Sequence, residues 1–245
     1  NWFYWMINFG SFFSTLWIPV LLKQYGPSVA FAVPGILMGI AVIIFWFGRK
    51  DYVNVPPSRD NNEGFSQILW YSLTNWSKKI RGEHLFDVAK AKYSEVSIEG
   101  SKAVLQIMKV FIAISVFWAL FDQSSSSWVL QAEQMDLNVL GMKFESSQIG
   151  ALNPLMVMGL IQLCSFWLYP MVEKIFHTTF TPLKKMASGM FIAAFSFVII
   201  AVFQYLLDSG MKLSVAWQFV PYLIITVAEV FISITGLEFA YTQAP

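Results

Sequence analysis

Three ionisable residues, Lys109, Asp122 and Glu229, each interrupt a stretch that is otherwise apolar and long enough to cross a bilayer, where an uncompensated charge costs several kcal/mol. Glu229 has the richest surroundings. Gln218, Tyr222, Thr226, Glu229 and Ser233 follow at spacings of four, four, three and four, which puts all five on one face of a helix. Trp118, Asp122 and Ser125 form a second such face, and Tyr4, Asn8, Ser11 and Thr15 a third. A carboxylate in a polar stripe at membrane depth can pair with an amine. It can also take up and release a proton as a neighbouring cation comes and goes, because low dielectric and nearby positive charge act on its proton in opposite senses. One water-filled path shared by three helices accounts for all three stripes; hydrogen bonding between helices is the alternative for the Ser and Thr positions. Lys109, within two turns of the cytoplasmic end of its span, is expected to snorkel to the interface as an anchor.

The elements that carry these residues follow from where charge is missing. Of 245 residues, 56% are hydrophobic, 17% aromatic and only 13% charged, about half the charge of a soluble domain. Trp2 to Leu22, Val29 to Gly48, Ile149 to Val172 and Met186 to Leu207 contain no Asp, Glu, Lys or Arg, and each meets the roughly 20-residue requirement for a membrane-spanning helix. Val104 to Ala132 and Leu213 to Leu237 are long enough as well, which makes six expected spans. Between the second and third lies a polar connection, residues 49–103, in which Trp70, Trp76, Leu85, Phe86 and Val88 alternate with Lys78, Lys79, Arg81, Lys90 and Lys92. Such mixing predicts one or two amphipathic helices along the lipid headgroups, with a solvated linker helix as the alternative. Nine Lys and Arg sit in this connection and three in the loop between the fourth and fifth spans, with Lys109 on the same side; only Lys23, Lys143 and Lys212 lie opposite. The positive-inside rule puts the connection and both ends of the sequence in the cytoplasm.

These features exclude several functions. A net charge of +1 implies no nucleic-acid partner. The one cysteine, Cys164, rules out an intrachain disulfide and reads as a small buried hydrophobe. An intramembrane hydrolase needs a base at depth, yet His84 and His177 both fall in cytoplasmic loops, and no metal-ligand spacing occurs. The chain is not expected to be an enzyme. The first block lacks an initiator Met, a basic leader and a cleavage site, so it reads as a span rather than a signal peptide, and the sequence is expected to be a fragment. Two spans, a long cytoplasmic connection and four more spans suit the middle of a two-bundle membrane carrier.

Longer motifs sharpen this. Phe3-Tyr4-Trp5-Met6-Ile7-Asn8-Phe9-Gly10-Ser11 resembles the FYxxINxGS signature of the proton-dependent oligopeptide transporters of the major facilitator superfamily. Phe117 to Gln123, followed by Trp128 to Ala132, is similar to that family's FWALFDQQGSRWTLQA segment, with Ser124, Ser125 and Ser127 standing where the family has Gln, Gly and Arg. Glu229 to Pro245 is similar to its tenth helix, and Pro182 to Met186 to its cytoplasmic PLKKM loop.

The resemblance implies an all-α membrane protein of the two-bundle major facilitator type. Its six spans would correspond to helices five to ten of twelve. Residues 1–48 would close the N-terminal bundle, 49–103 form the amphipathic linker, and 104–245 open the C-terminal bundle, with the remaining helices of the full-length chain as partners. It further implies proton-coupled symport of di- and tripeptides across the inner (plasma) membrane by alternating access, with protons as the coupling ion and no cofactor. A family branch that moves nitrate, drugs or other small molecules is the alternative. By position, Asn8, Asn153, Trp118, Tyr222 and Glu229 would bind substrate, Glu229 would couple the peptide's amino terminus to protonation, and Asp122 would hold the extracellular gate. Tyr4, Ser125 and Ser233 would support the polar face.

Overall fold

The structure, a computed structural model, describes residues 2–54, 63–78, 84–177 and 179–243. Among the described residues six helical stretches are long and apolar enough to cross a membrane: Tyr4–Tyr25, Pro27–Gly48, Glu95–Glu133, Ser146–Ile175, Pro182–Asp208 and Val215–Gln243. The six expected spans each fall within one of these or overlap it. The third begins earlier than expected because the helix continues through Glu95, Glu99 and Lys102, which are charged but good helix formers. Lys109 therefore lies about 21 Å along this helix from its start, not within two turns of its end.

The chain divides into two compact units. The first contains residues 1–50 and 116–235. Here α1 (Trp2–Tyr25) and α2 (Pro27–Gly48) are joined by a single glycine, Gly26, whose φ of 81° suits a residue without a Cβ. Pro27 then opens α2, at the position where a missing N–H costs nothing. The same unit holds the end of α4 (Glu95–Phe121), then α5 (Ser127–Glu133), a two-residue hairpin β1 (Asn138–Val139) and β2 (Met142–Lys143), α6 (Leu152–Leu163), α7 (Tyr169–Phe176), α8 (Pro182–Asp208) and most of α9 (Phe219–Gln243). Asp122–Ser125 is a 3₁₀ turn and the chain breaks at Ser126, so Trp118, Asp122 and Ser125 do not share one continuous α-helix. Four consecutive serines from Ser124 to Ser127, which compete for backbone hydrogen bonds, explain the break.

Between α6 and α7 a π-helical turn, Cys164–Leu168, precedes Pro170. A widened turn relieves the clash of the proline ring with the carbonyl four residues back. One core cluster of this unit is built from Val157, Ile161, Cys164, Val230 and Phe231, where α6 and the turn after it meet α9, and Cys164 is buried as expected. Against α9 lies α8, brought close by Gly189 and Ala193. At one end a glutamine ladder stitches α5, α8 and the 3₁₀ segment Val215–Gln218 that leads into α9: Gln218 donates to Gln131 Oε1 at 3.2 Å, Gln131 to Gln204 Oε1 at 3.1 Å, and Gln204 to Asp208 at 2.9 Å.

The second unit contains residues 51–115 and 236–245. In it α3 (Phe65–Thr74), a 3₁₀ segment (Leu85–Ala91) and the first turns of α4 close on Ile68, Phe86, Ala89 and Ile98. Phe86 thus faces inward, whereas Trp70 on α3 is 71% exposed. Asp87 joins the pieces: it accepts from the His84 N–H at 2.8 Å and pairs with Lys90 and Lys102 at 3.0 Å each. Arg59, Lys79 and Arg81 of the expected amphipathic connection lie outside the described residues.

Candidate functional site

Glu229 sits ten residues into α9, beyond the reach of either helix end, and its side chain is only 5% exposed. Both carboxylate oxygens are taken. Tyr4 of α1 donates its hydroxyl to Oε1 at 3.0 Å, and Asn153 of α6 donates Nδ2 to Oε2 at 2.7 Å. Asn153 can reach because it lies at the first turn of α6, beside Pro154. Its Nδ2 also meets Thr226 Oγ1 at 3.0 Å. Three helices spread over more than two hundred residues of chain therefore converge on one carboxyl group. Among the described residues no Lys, Arg or His forms an ion pair with it. Whatever charge it carries is supported by neutral donors, which leaves it able to accept an external ammonium group or a proton.

The other sequence-selected residues divide. Asn8 is buried on α1 one turn from Tyr4, and its Nδ2 donates to the Tyr4 carbonyl at 2.8 Å. Ser233 lies next to the Tyr4 hydroxyl, and its Oγ is buried without a hydrogen-bond partner. Tyr4, Asn153, Glu229 and Ser233 thus form one cluster. Tyr222 is fully buried, packs edge-on against Trp128 at 5.0 Å and donates to the Ser124 carbonyl at 2.7 Å, tying α9 to the turn that follows α4. Trp118 is exposed and meets the rings of Phe117 and Phe121 edge-on. Asp122 and Ser125 are exposed, and among the described residues the Asp122 carboxylate has no cationic partner.

A family model described as the POT family matches residues 1–245. The chain belongs to the POT family. It is 35% identical over 226 residues to Peptide transporter 3 of Caenorhabditis elegans, covering 86% of this chain and 32% of that protein. To Solute carrier family 15 member 2 of Homo sapiens it is 35% identical over 210 residues, covering 81% and 29%. The in meso crystal structure of the POT family transporter PepTSo superposes with a TM-score of 0.88 at 34% identity, covering 99% of this chain and 56% of that one. An auto-inhibited POT family peptide transporter gives 0.86 at 33% identity, covering 99% and 55%. The chain spans about a third of the length of the curated relatives it matches and a little over half of the solved structures. It has the helical, multi-pass membrane fold of the POT family.

The POT-type signatures fall on the cluster. The first supplies Tyr4 and Asn8, and the last begins at Glu229 itself. Two contributors were assigned no role from the sequence. Thr226 was visible in the α9 stripe, but its link to Asn153 needs a helix crossing that spacing cannot reveal. Gln131 lies inside the second signature, yet its partner Gln204 comes from a span read only as apolar, and Gln218, visible in the Glu229 stripe, gave no sign of pairing with it.

Proposed function

We propose that the protein to which this chain belongs is a proton-coupled symporter of di- and tripeptides, working by alternating access across the cell's inner (plasma) membrane. In this reading residues 1–48 complete one bundle, residues 104–245 begin the other, and residues 49–103 link them on the cytoplasmic side. Glu229 receives the peptide's ammonium group and exchanges it for a proton. Asn8, Asn153 and the aromatic rings of Trp118 and Tyr222 line or brace the substrate site, and Asp122 acts at the extracellular gate with a partner from another helix. Protons are the coupling ion. The observation that carries the reading is the burial of Glu229 between Tyr4 and Asn153 with neutral donors on both oxygens. The names of its relatives as peptide transporters support the choice of cargo.

The test is uptake by the full-length chain in liposomes under an inward proton gradient, following labelled dialanine with excess unlabelled tripeptide as competitor. Uphill, competed uptake that disappears in Glu229→Gln is expected. Full accumulation by Glu229→Gln would remove the proposed role of that residue, and no uptake by active, correctly inserted wild type would remove peptides as the cargo.

A further inference from the structure

Thr226 is fully buried, and its Oγ1 lies 2.6 Å from the Tyr222 carbonyl oxygen one turn earlier on α9. A carbonyl oxygen only accepts, and a hydroxyl has one proton to give. Toward Asn153, at 3.0 Å, Thr226 Oγ1 is therefore an acceptor. The amide atom facing it must be Nδ2, whatever the state of Glu229. The same Nδ2 reaches Glu229 Oε2 at 2.7 Å, so Oε2 always meets an N–H. A proton placed on Oε2 would have to point away from this N–H and would leave that oxygen a poorer acceptor for it.

The other oxygen is different. Oε1 faces the Tyr4 hydroxyl at 3.0 Å, and a hydroxyl can rotate, donating to a carboxylate or accepting from an acid. When Tyr4 accepts, its own proton needs a new partner, and the otherwise unpartnered Ser233 Oγ lies beside it. We propose that Thr226 is a positioning residue that fixes the Asn153 amide and thereby assigns the proton of Glu229 to Oε1, the oxygen facing Tyr4. A hydronium ion gives one proton to Oε1 and is left as water, the Tyr4 hydroxyl turns from Glu229 to Ser233, and the Asn153 contact stays as it is. The charge state of Glu229 is then read by α1 and not by α6. This step rests on the reading of Glu229 as a titrating group in transport. The groups facing it are Tyr4 from α1, the neutral Asn153 from α6, and Thr226 and Ser233 on α9 itself; among the described residues no cation or second acid pairs with it.

The measurement is a pH series of infrared difference spectra on the full-length protein in liposomes. The carboxylic C=O band that disappears in Glu229→Gln belongs to Glu229. Thr226→Val keeps the shape and removes the hydroxyl, so the amide is free to turn Oδ1 toward the acid proton. The midpoint of the band should rise by about half a pH unit or more, the effect of weakening one hydrogen bond to a charged group. Thr226→Ser should titrate as the wild type does, and Thr226→Ala replaces Thr226→Val if the latter fails to fold. A wild-type midpoint in Thr226→Val, an equal shift in Thr226→Ser, or no titrating Glu229 band in the wild type would each overturn the proposal. Dialanine uptake by the same liposomes is scored separately: no uptake with the expected band shifts would remove the peptide reading and leave the role of Thr226 standing.

Discussion

Gly189 and Ile232 meet at the crossing of α8 and α9 so closely that a Cβ on residue 189 would stand 2.8 Å from Ile232 Cγ1 and 3.1 Å from the Ala228 carbonyl oxygen. The side chain could turn aside; the backbone carbonyl cannot. Gly189→Ala gains about 1 kcal/mol of helix propensity and loses about 1–3 kcal/mol to overpacking. The variant is expected to unfold at a lower temperature than the wild type, and Gly189→Leu lower still. Thermal denaturation of the purified full-length protein checks the order, and equal midpoints would mean the two helices separate without cost.

Tyr4 supplies the donor to one oxygen of Glu229 from a different helix. Tyr4→Phe keeps the ring and removes that donor, a loss of about 1.5–3 kcal/mol for a hydrogen bond to a charged group. Proton-driven dialanine accumulation is expected to fall about tenfold or more, while peptide exchange without a gradient falls less. Equal losses in the two assays would place Tyr4 in binding and not in coupling.

His177 ends α7 at a φ of 51°, in the left-handed region that costs an L-residue about 1–2 kcal/mol. Its side chain is exposed. His177→Gly should raise the unfolding temperature and His177→Val should lower it, measured in the same denaturation series. A drop with glycine would show that the imidazole contributes something beyond filling the turn.

Lys102 and then Lys90, with help from the His84 N–H, hold the Asp87 carboxyl well below the usual carboxylate range. A group depressed on folding stabilises the folded state above its unfolded value, about 3.9, and the contribution disappears as pH falls through the lower folded value. The unit containing α3 and the 3₁₀ segment should therefore loosen at acid pH. Protection of the Phe86 and Ala89 amides, relative to unstructured amides at the same pH, should fall more between pH 6 and pH 3 in the wild type than in Asp87→Asn, and added salt should shrink the difference because the pairs are near the surface. A wild type and variant that respond identically to pH would remove Asp87 from this unit's acid response.

The sequence reading succeeded where lipid imposes its own rule. Blocks without charge had to be spans, and the α9 stripe had to face something polar because Glu229 could not face lipid. It fell short where local pattern and tertiary contact diverge. Helical spacing grouped Asp122 and Ser125 with Trp118, but four serines ended the α-helix between them. Spacing also aimed Tyr222 the same way as Glu229, and the direction was right, yet Tyr222 found the Ser124 carbonyl and closed up while Glu229 found Tyr4 and Asn153. The partners of Glu229 lie 225 and 76 residues away, and periodicity carries no record of them.

The turn at Cys164–Leu168 inserts a phase slip into an otherwise regular helix. In an unbroken α-helix Leu168 and Tyr169 would point about 100° apart, yet both pack on the Val230 and Phe231 core, with the Tyr169 ring 5.3 Å from that of Phe231. The helix thus keeps two angular registers on one axis, one for the residues that hold Asn153 and one for those that carry Tyr169. Removing a single residue from the wide turn would restore an ordinary α-helical turn and leave Asn153 and the Tyr169 ring on the faces they now occupy.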